Sequence, residues 1–318
     1  GWLGRQVRAV TVLSVVSSTQ AGLLAWLVAA AVGLPTVGPL PLVAVSLLGG
    51  LAASAVLLAV VLGLARRASR RGWSLDDVAA PVVSATGDLV TLPALLAATT
   101  VLDAGAGVAD AVGGIGVAVG LVAAVLGVRD PDPRLRRLLR ESLAVLTLAV
   151  GVDVLAGVAI EARLEQQFTT AALLVMLPPF VAKCGALGGM LASRLSSKLH
   201  VGTLAPSRWP GAQARLDVSL TVLFAAVTFV GVGAAAWLAA TLVPDVAALP
   251  LATTIAVALL AGAFAVPILS SVAYAAATVS FRHGLDPDNH GIPIVTATMD
   301  LAGVLCLVAA VTLLQVGG

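Results

Sequence analysis

Two stretches of the chain place residues able to bind ions at matched spacings. Asp88 and Asp300 each follow a proline by seven residues, Pro81 and Pro293, and a hydroxyl by four, Ser84 and Thr296. In a helix those spacings put proline, hydroxyl and carboxylate on one face. Two such faces offer only oxygen donors and two negative charges, a set that suits a hard divalent cation. Mg²⁺ gives up its water reluctantly and would be held mainly through its hydration shell. No His or Cys accompanies either carboxylate, which argues against zinc or copper. The acidic turns Asp76-Asp77 and Asp286-Pro287-Asp288-Asn289 lie just ahead of these faces. They are placed to concentrate cations at a mouth, or equally to cap a helix.

The two stretches are copies. Residues 72–98, GWSLDDVAAPVVSATGDLVTLPALLAA, align without a gap with residues 284–310, GLDPDNHGIPIVTATMDLAGVLCLVAA, and eleven of the 27 pairs are identical. Matched Ala and Leu carry little weight in this composition. The weight rests on Gly72 with Gly284, Asp76 with Asp288, Pro81 with Pro293, Thr86 with Thr298 and Asp88 with Asp300, each pair 212 residues apart.

The elements that carry these faces are membrane helices. The 318 residues are 59% hydrophobic and 11% charged, with a mean hydropathy of +1.07, which excludes a soluble enzyme and a nucleic-acid binder. Apolar stretches of about 20 residues follow one another, too long for the strands of an outer-membrane barrel. Nine spans are expected: 7–32, 40–65, 79–102, 110–128, 143–160, 168–191, 218–243, 249–279 and 291–316. The fold class is therefore an all-α polytopic membrane protein, its bundle made of two pseudo-symmetric repeats. The second Asp helix lies six spans after the first, an even number, so the repeats are parallel and related by an axis along the membrane normal. Residues 1–104 form the first repeat, 105–142 a linking helix and basic loop, and 143–318 the second repeat. At ~1.5 Å per residue, both carboxylates lie roughly 14 Å into the membrane, near its midplane. A carboxylate there costs on the order of 2.5–3.5 kcal/mol. Each Asp taken alone has a structural reading, as a cap or a partner to a Ser or Thr; recurrence at equal depth favours a shared cation site.

With the N-terminus cytoplasmic, that end and the loops after spans two, four, six and eight hold 16 of the 18 Lys and Arg. The positive-inside rule then fixes the orientation, a multi-pass protein of the cell membrane. The same rule explains the runs ARRASRR and RDPDPRLRRLLR as topogenic loops rather than nucleic-acid patches. The implied partners are the lipid bilayer and divalent cations, with no nucleic acid and no resident cofactor; Mg²⁺ is cargo.

The segments DDVAAPVVSATGDLVTL, DPDNHGIPIVTATMDLAG and PPFVAKCGALGGMLASRLSSKLHVG resemble the membrane domain of MgtE-type magnesium channels. They are closer still to solute carrier family 41, whose members fuse two such domains. Gln20, in STQAGLLAWL, also falls where that family has a Gln. The resemblance implies that Asp88 and Asp300 are pore aspartates, contacting a hydrated Mg²⁺ between the two halves. The chain departs from the family pattern at three points. Gly185-Ala186 stands where a Gly-Asn step is expected, the 318 residues hold no counterpart of the soluble gating domains, and the first half lacks partners for spans five and six.

Other intramembrane residues have competing readings. Asp153 and Lys183, on consecutive antiparallel spans, fit a structural ion pair better than a coupling-ion or proton relay. Pro178-Pro179 is expected to break span six, and Gly116 and Gly120 to mark close helix packing. Cys184 and Cys306 act as small apolar residues, and the three His residues are assigned no role. An intramembrane aspartyl protease, suggested by TGD and by Pro93-Ala94-Leu95, draws its dyad from antiparallel neighbours, whereas these Asp helices are parallel. A non-transporting membrane subunit leaves the buried carboxylates unexplained. A Na⁺-coupled Mg²⁺ exchanger remains the alternative to a channel: at ~2.3 kcal/mol per charge per 100 mV, import of a divalent ion needs no coupling and export does.

Because span one aligns with span seven and the sequence opens without Met, roughly 50–60 further N-terminal residues with two apolar spans of ~20 residues are expected; a homodimer is the alternative source of the missing wall. The charge bias also sets a topology test. Single cysteines placed in the loops 66–71, 129–140 and 193–215 should react with an impermeant thiol reagent only from the cytoplasmic side, and reaction from outside at any one of them overturns the span count.

Overall fold

The structure, a computed structural model, describes residues 2–71, 75–167, 171–242, 249–285 and 287–316. Among these the chain is helical throughout, in nine helices. They are α1 (Trp2–Val32), α2 (Pro39–Arg71), α3 (Leu75–Asp103), α4 (Ala106–Val128), α5 (Pro133–Gln167), α6 (Ala171–Val201), α7 (Ala212–Thr241), α8 (Leu251–Arg282) and α9 (Pro287–Leu313). Eight are long and apolar enough to cross a bilayer. The exception is α3, whose described apolar run is only Leu89–Asp103.

Local chemistry sets several helix ends. Pro39, Pro133 and Pro287 occupy first-turn positions, where a missing N–H costs nothing. Gly33, Gly202 and Gly284 follow α1, α6 and α8 with φ of 78°, 79° and 62°. After each, the chain turns back with the same bond: Leu34 N–H to Ala29 O at 2.9 Å, Thr203 N–H to Lys198 O at 3.0 Å and Leu285 N–H to Ser280 O at 2.9 Å. These are Schellman caps, which satisfy the last carbonyls and favour glycine at the left-handed position.

The chain divides into two compact units, residues 1–151 and 152–318. In unit 1, α2 packs on α1, α3 and α4; in unit 2, α8 packs on α7, α9 and α6. The crossings that hold α1 to α2 recur between α7 and α8. A Cβ on Gly22 would lie 2.7 Å from Val43 Cα, and one on Gly233 would lie 2.8 Å from Ile255 Cα. Further along the same pairs, Gly50 abuts the Ser18 side chain and Gly262 the Phe229 ring. Gly22 and Gly233 open the matching strings GLLAWL and GAAAWL. Small residues let helix backbones approach where lipid supplies no hydrophobic drive for association.

Gly113, Gly116 and Gly120 of α4 bear in turn on Leu40, Leu47 and Thr19, so the expected close packing at Gly116 and Gly120 is present. In unit 2, α6 lies against α7, α8 and α9, and half of its membrane window is buried. Phe180 of α6 and Phe229 of α7 meet there, ring centroids 4.9 Å apart. No described helix in unit 1 covers α3 as α6 covers α9. Leu89, Leu92 and Leu96 of α3 are accordingly exposed, whereas Val304 of α9, the counterpart of Leu92, is buried.

In the α4–α5 turn of unit 1, the carboxyl of Asp130 accepts hydrogen bonds from the Asp132 backbone N–H at 2.9 Å and from Arg8 at 3.1 Å. These two donors, the backbone one foremost, hold it below the ordinary carboxylate value.

The recurring crossings set an expected cost. Gly22→Ala and Gly233→Ala should each destabilise the folded protein in detergent by about 1–3 kcal/mol, the usual cost of overpacking. Gly63→Ala, which meets nothing within 4 Å, should leave stability unchanged or slightly raised. Thermal unfolding followed by circular dichroism distinguishes the two classes.

Candidate functional site

The second of the two Asp-bearing faces lies on α9, and α6 positions it. Gly185, Gly188 and Gly189 of α6 lie against Thr296, Val295 and Ile292 of α9, and Gly303 of α9 lies against Val181 and Cys184 of α6. The fit at Gly188 leaves no room for a side chain, because its Cβ would sit 2.6 Å from Val295 Cγ1. Thr296 rests on Gly185 through its methyl: a Cβ there would lie 3.1 Å from Thr296 Cγ2. Thr296 and Asp300, one helical turn apart, are both half-buried at this seam. Gly185-Ala186, where the family resemblance led one to expect Gly-Asn, is thus part of the close approach of α6 to α9.

Pro178 and Pro179 do not break α6, contrary to expectation. The helix runs unbroken from Ala171 to Val201 with both prolines inside it. They stand within its third turn. The residues whose carbonyls lose an i+4 donor, Leu174 and Val175, are both exposed at the helix surface.

Asp153, exposed on α5, has Asp300 of α9 as its carboxyl neighbour. Sequence reasoning had matched Asp153 with Lys183 because consecutive spans suggest a pair. Lys183 stands half-buried on α6. Among the described residues no group of three or more His, Cys, Asp or Glu side chains converges. The side chains of Asp76, Asp77, Ser84, Asp88, Asp288 and Asn289 lie outside the described residues, as does Asp286. Cys184 and Cys306 are free and buried.

A second feature escaped the sequence reading. Asp217 of α7 is buried and receives a hydrogen bond from Lys198 of α6 at 2.6 Å. The pair ties the end of α6 to the start of α7 and so braces the helix on which α9 rests. One residue on a charged loop flank carries no signal of burial, and only the packed helices reveal it. Nearby, His200 meets Phe281 edge-on with centroids 5.1 Å apart.

Eight apolar spanning helices with an acidic side chain held on a glycine-packed helix pair define a polytopic helical membrane protein with polar groups inside its bundle. Residues 177–310 match the family model of MgtE, described as a divalent cation transporter. The match runs from α6 into α9 and includes Lys183, Thr296 and Asp300. No curated protein and no solved structure matches the chain.

Removing the cation of the Lys198–Asp217 pair leaves a buried carboxylate uncompensated. Lys198→Met should cost about 3 kcal/mol, the low end for a broken buried pair because Lys198 is partly exposed. The double variant Lys198→Met with Asp217→Asn should recover part of the loss. Unfolding of the two variants in detergent, compared with wild type, checks both expectations.

Proposed function

We propose that this protein moves Mg²⁺ across the membrane through a pathway lined by Asp88 and Asp300, with Thr296 and Ser84 one helical turn before each carboxylate. One observation carries the reading: the MgtE-type segment, that of a divalent cation transporter, contains Asp300 and Thr296 on one face of α9. The duplication in sequence extends the assignment to Asp88, because Asp88 stands to Pro81 as Asp300 stands to Pro293. Carboxylate and hydroxyl oxygens alone favour a hard cation that keeps much of its water. The acidic residues Asp76, Asp77 and Asp288, with the amide of Asn289, belong to the same pathway as a cation-attracting cytoplasmic mouth. The cationic loops set the N-terminus in the cytoplasm.

A negative interior draws a divalent ion inward by about 4.6 kcal/mol per 100 mV, so passive import is sufficient. Reconstituted into proteoliposomes, the wild type should take up Mg²⁺ down its gradient. Asp88→Asn and Asp300→Asn should each lower that flux at least tenfold while the protein stays folded, because each removes one of the two charges. Wild-type flux in both variants rules out the paired site. Flux that appears only against an opposing Na⁺ gradient replaces the channel by the exchanger.

A further inference from the structure

The loop between α6 and α7 is short, cationic and held in one shape. Pro206 and Pro210 bracket Ser207-Arg208-Trp209 and restrict the backbone at both ends of that triplet. Its carbonyls are then tied to α8. The Tyr274 hydroxyl is shared between Ser207 O at 3.0 Å and Trp209 O at 3.1 Å, and the Arg282 guanidinium donates to Pro206 O at 2.9 Å. The Ser207 hydroxyl also donates to Trp209 O. Beyond the loop, the Arg215 N–H donates to Gly211 O at 2.9 Å as α7 begins. The Lys198–Asp217 pair draws that start of α7 against the last turns of α6.

This fastened loop holds apolar groups out of the protein. Trp209 is 78% exposed, and Val201 at the end of α6 and Leu216 at the start of α7 are 77% and 59% exposed. Arg208, Arg215 and Arg282 are exposed among them. An indole braced open to water is unfavourable. At the edge of a membrane the same ring is an anchor, its body in apolar surroundings and its N–H wet. The loop lies at the right level for that. With 31 residues α6 extends roughly 46 Å at ~1.5 Å per residue, longer than a hydrocarbon core of about 30 Å, so its charged last turns and the loop beyond them emerge among headgroups.

Positive charge in a loop orients a membrane protein whatever the shape of the loop. Orientation therefore explains neither the bonds that fix this one nor the exposed indole beside Arg208. We infer that the α6–α7 loop and the end of α8 bind an anionic phospholipid, whose phosphate meets the guanidinium groups of Arg208, Arg215 and Arg282 while its glycerol and upper acyl region lie on Trp209 and Leu216. Arginine suits the role, because its planar fork matches phosphate oxygens in pairs. Residues 194–217 include one acid, Asp217, and it is already paired with Lys198. A zwitterionic headgroup brings an ammonium that the arginines repel and is the poorer ligand. A lipid seated here touches the ends of α6, α7 and α8 together and stabilises the scaffold on which α9 rests, whichever ion the protein carries.

The test uses the full chain in detergent and two lipids with brominated acyl chains, phosphatidylglycerol and phosphatidylcholine, which quench tryptophan on contact. The quenching that belongs to Trp209 is the difference between wild type and Trp209→Phe. For phosphatidylglycerol that difference should reach its midpoint at an about tenfold lower lipid fraction than for phosphatidylcholine, and Arg208→Gln and Arg215→Gln should each raise the midpoint about fivefold, the worth of one arginine near an anionic surface. Unbrominated phosphatidylglycerol should also raise the thermal unfolding midpoint of wild type more than that of Arg208→Gln. Millimolar glycerol phosphate should leave the quenching in place. Equal midpoints for the two lipids reduce Trp209 to a general interfacial anchor and overturn the site, as does wild-type quenching no greater than that of Trp209→Phe. Full competition by glycerol phosphate makes the ligand a soluble phosphate and overturns the lipid assignment. Should a variant fail to fold, the comparison of the two lipids on the thermal unfolding of wild type decides, and equal stabilisation by both overturns the inference.

Discussion

Hydrocarbon cannot hydrate a polar group, and the architecture of this chain follows from that constraint. Every described backbone segment in the apolar stretches is helical, because a helix satisfies its own N–H and C=O groups. Lysines and arginines are gathered into the connections, where water and headgroups receive them. A carboxylic acid in mid-helix has no such outlet and must find its partner inside the protein. Asp300 stands half-buried on α9, which packs on α6.

Lipid also removes the hydrophobic drive that holds soluble helices together, so close contact has to be shaped by size. The glycines supply it. Gly22 and Gly233 admit α2 and α8 to backbone distance, Gly185 and Gly303 do the same between α6 and α9, and Gly188 takes the Val295 side chain. The consequence for function is positional. Thr296 lies against Gly185 and Val295 against Gly188, which seats this stretch of α9 on α6. The crossings of α1 with α2 and of α7 with α8 occur at matching residues, which is how a duplicated sequence makes two similar scaffolds.

α5 departs from that pattern. It lacks a glycine seam against its neighbours, relies on Leu139, Thr147 and Ile160 at intervals along its length, and has only 11% of its membrane window buried. A helix tied by a few side chains is easier to displace than one locked by backbone contact, since each tie contributes only about 1 kcal/mol.

Fold class, helix count and approximate boundaries were legible in the sequence, because apolar runs of membrane length and loop charge are local properties. So were Asp88 and Asp300 as candidates: their scarcity in an apolar chain, and their recurrence 212 residues apart with proline and hydroxyl in register, are visible without coordinates. The glycines at 116 and 120 were rightly read as packing positions. Which partner each glycine meets was not legible, nor that Pro178-Pro179 sits inside an unbroken helix, because a neighbouring helix decides whether a freed carbonyl must be accommodated by bending. Adjacency in sequence suggested Lys183 for Asp153, but contact depends on the rotation of the helices about their axes, which the sequence does not give. The buried Asp217 was hidden for the same reason: composition places charges near helix ends, and only tertiary packing determines which of them loses its water.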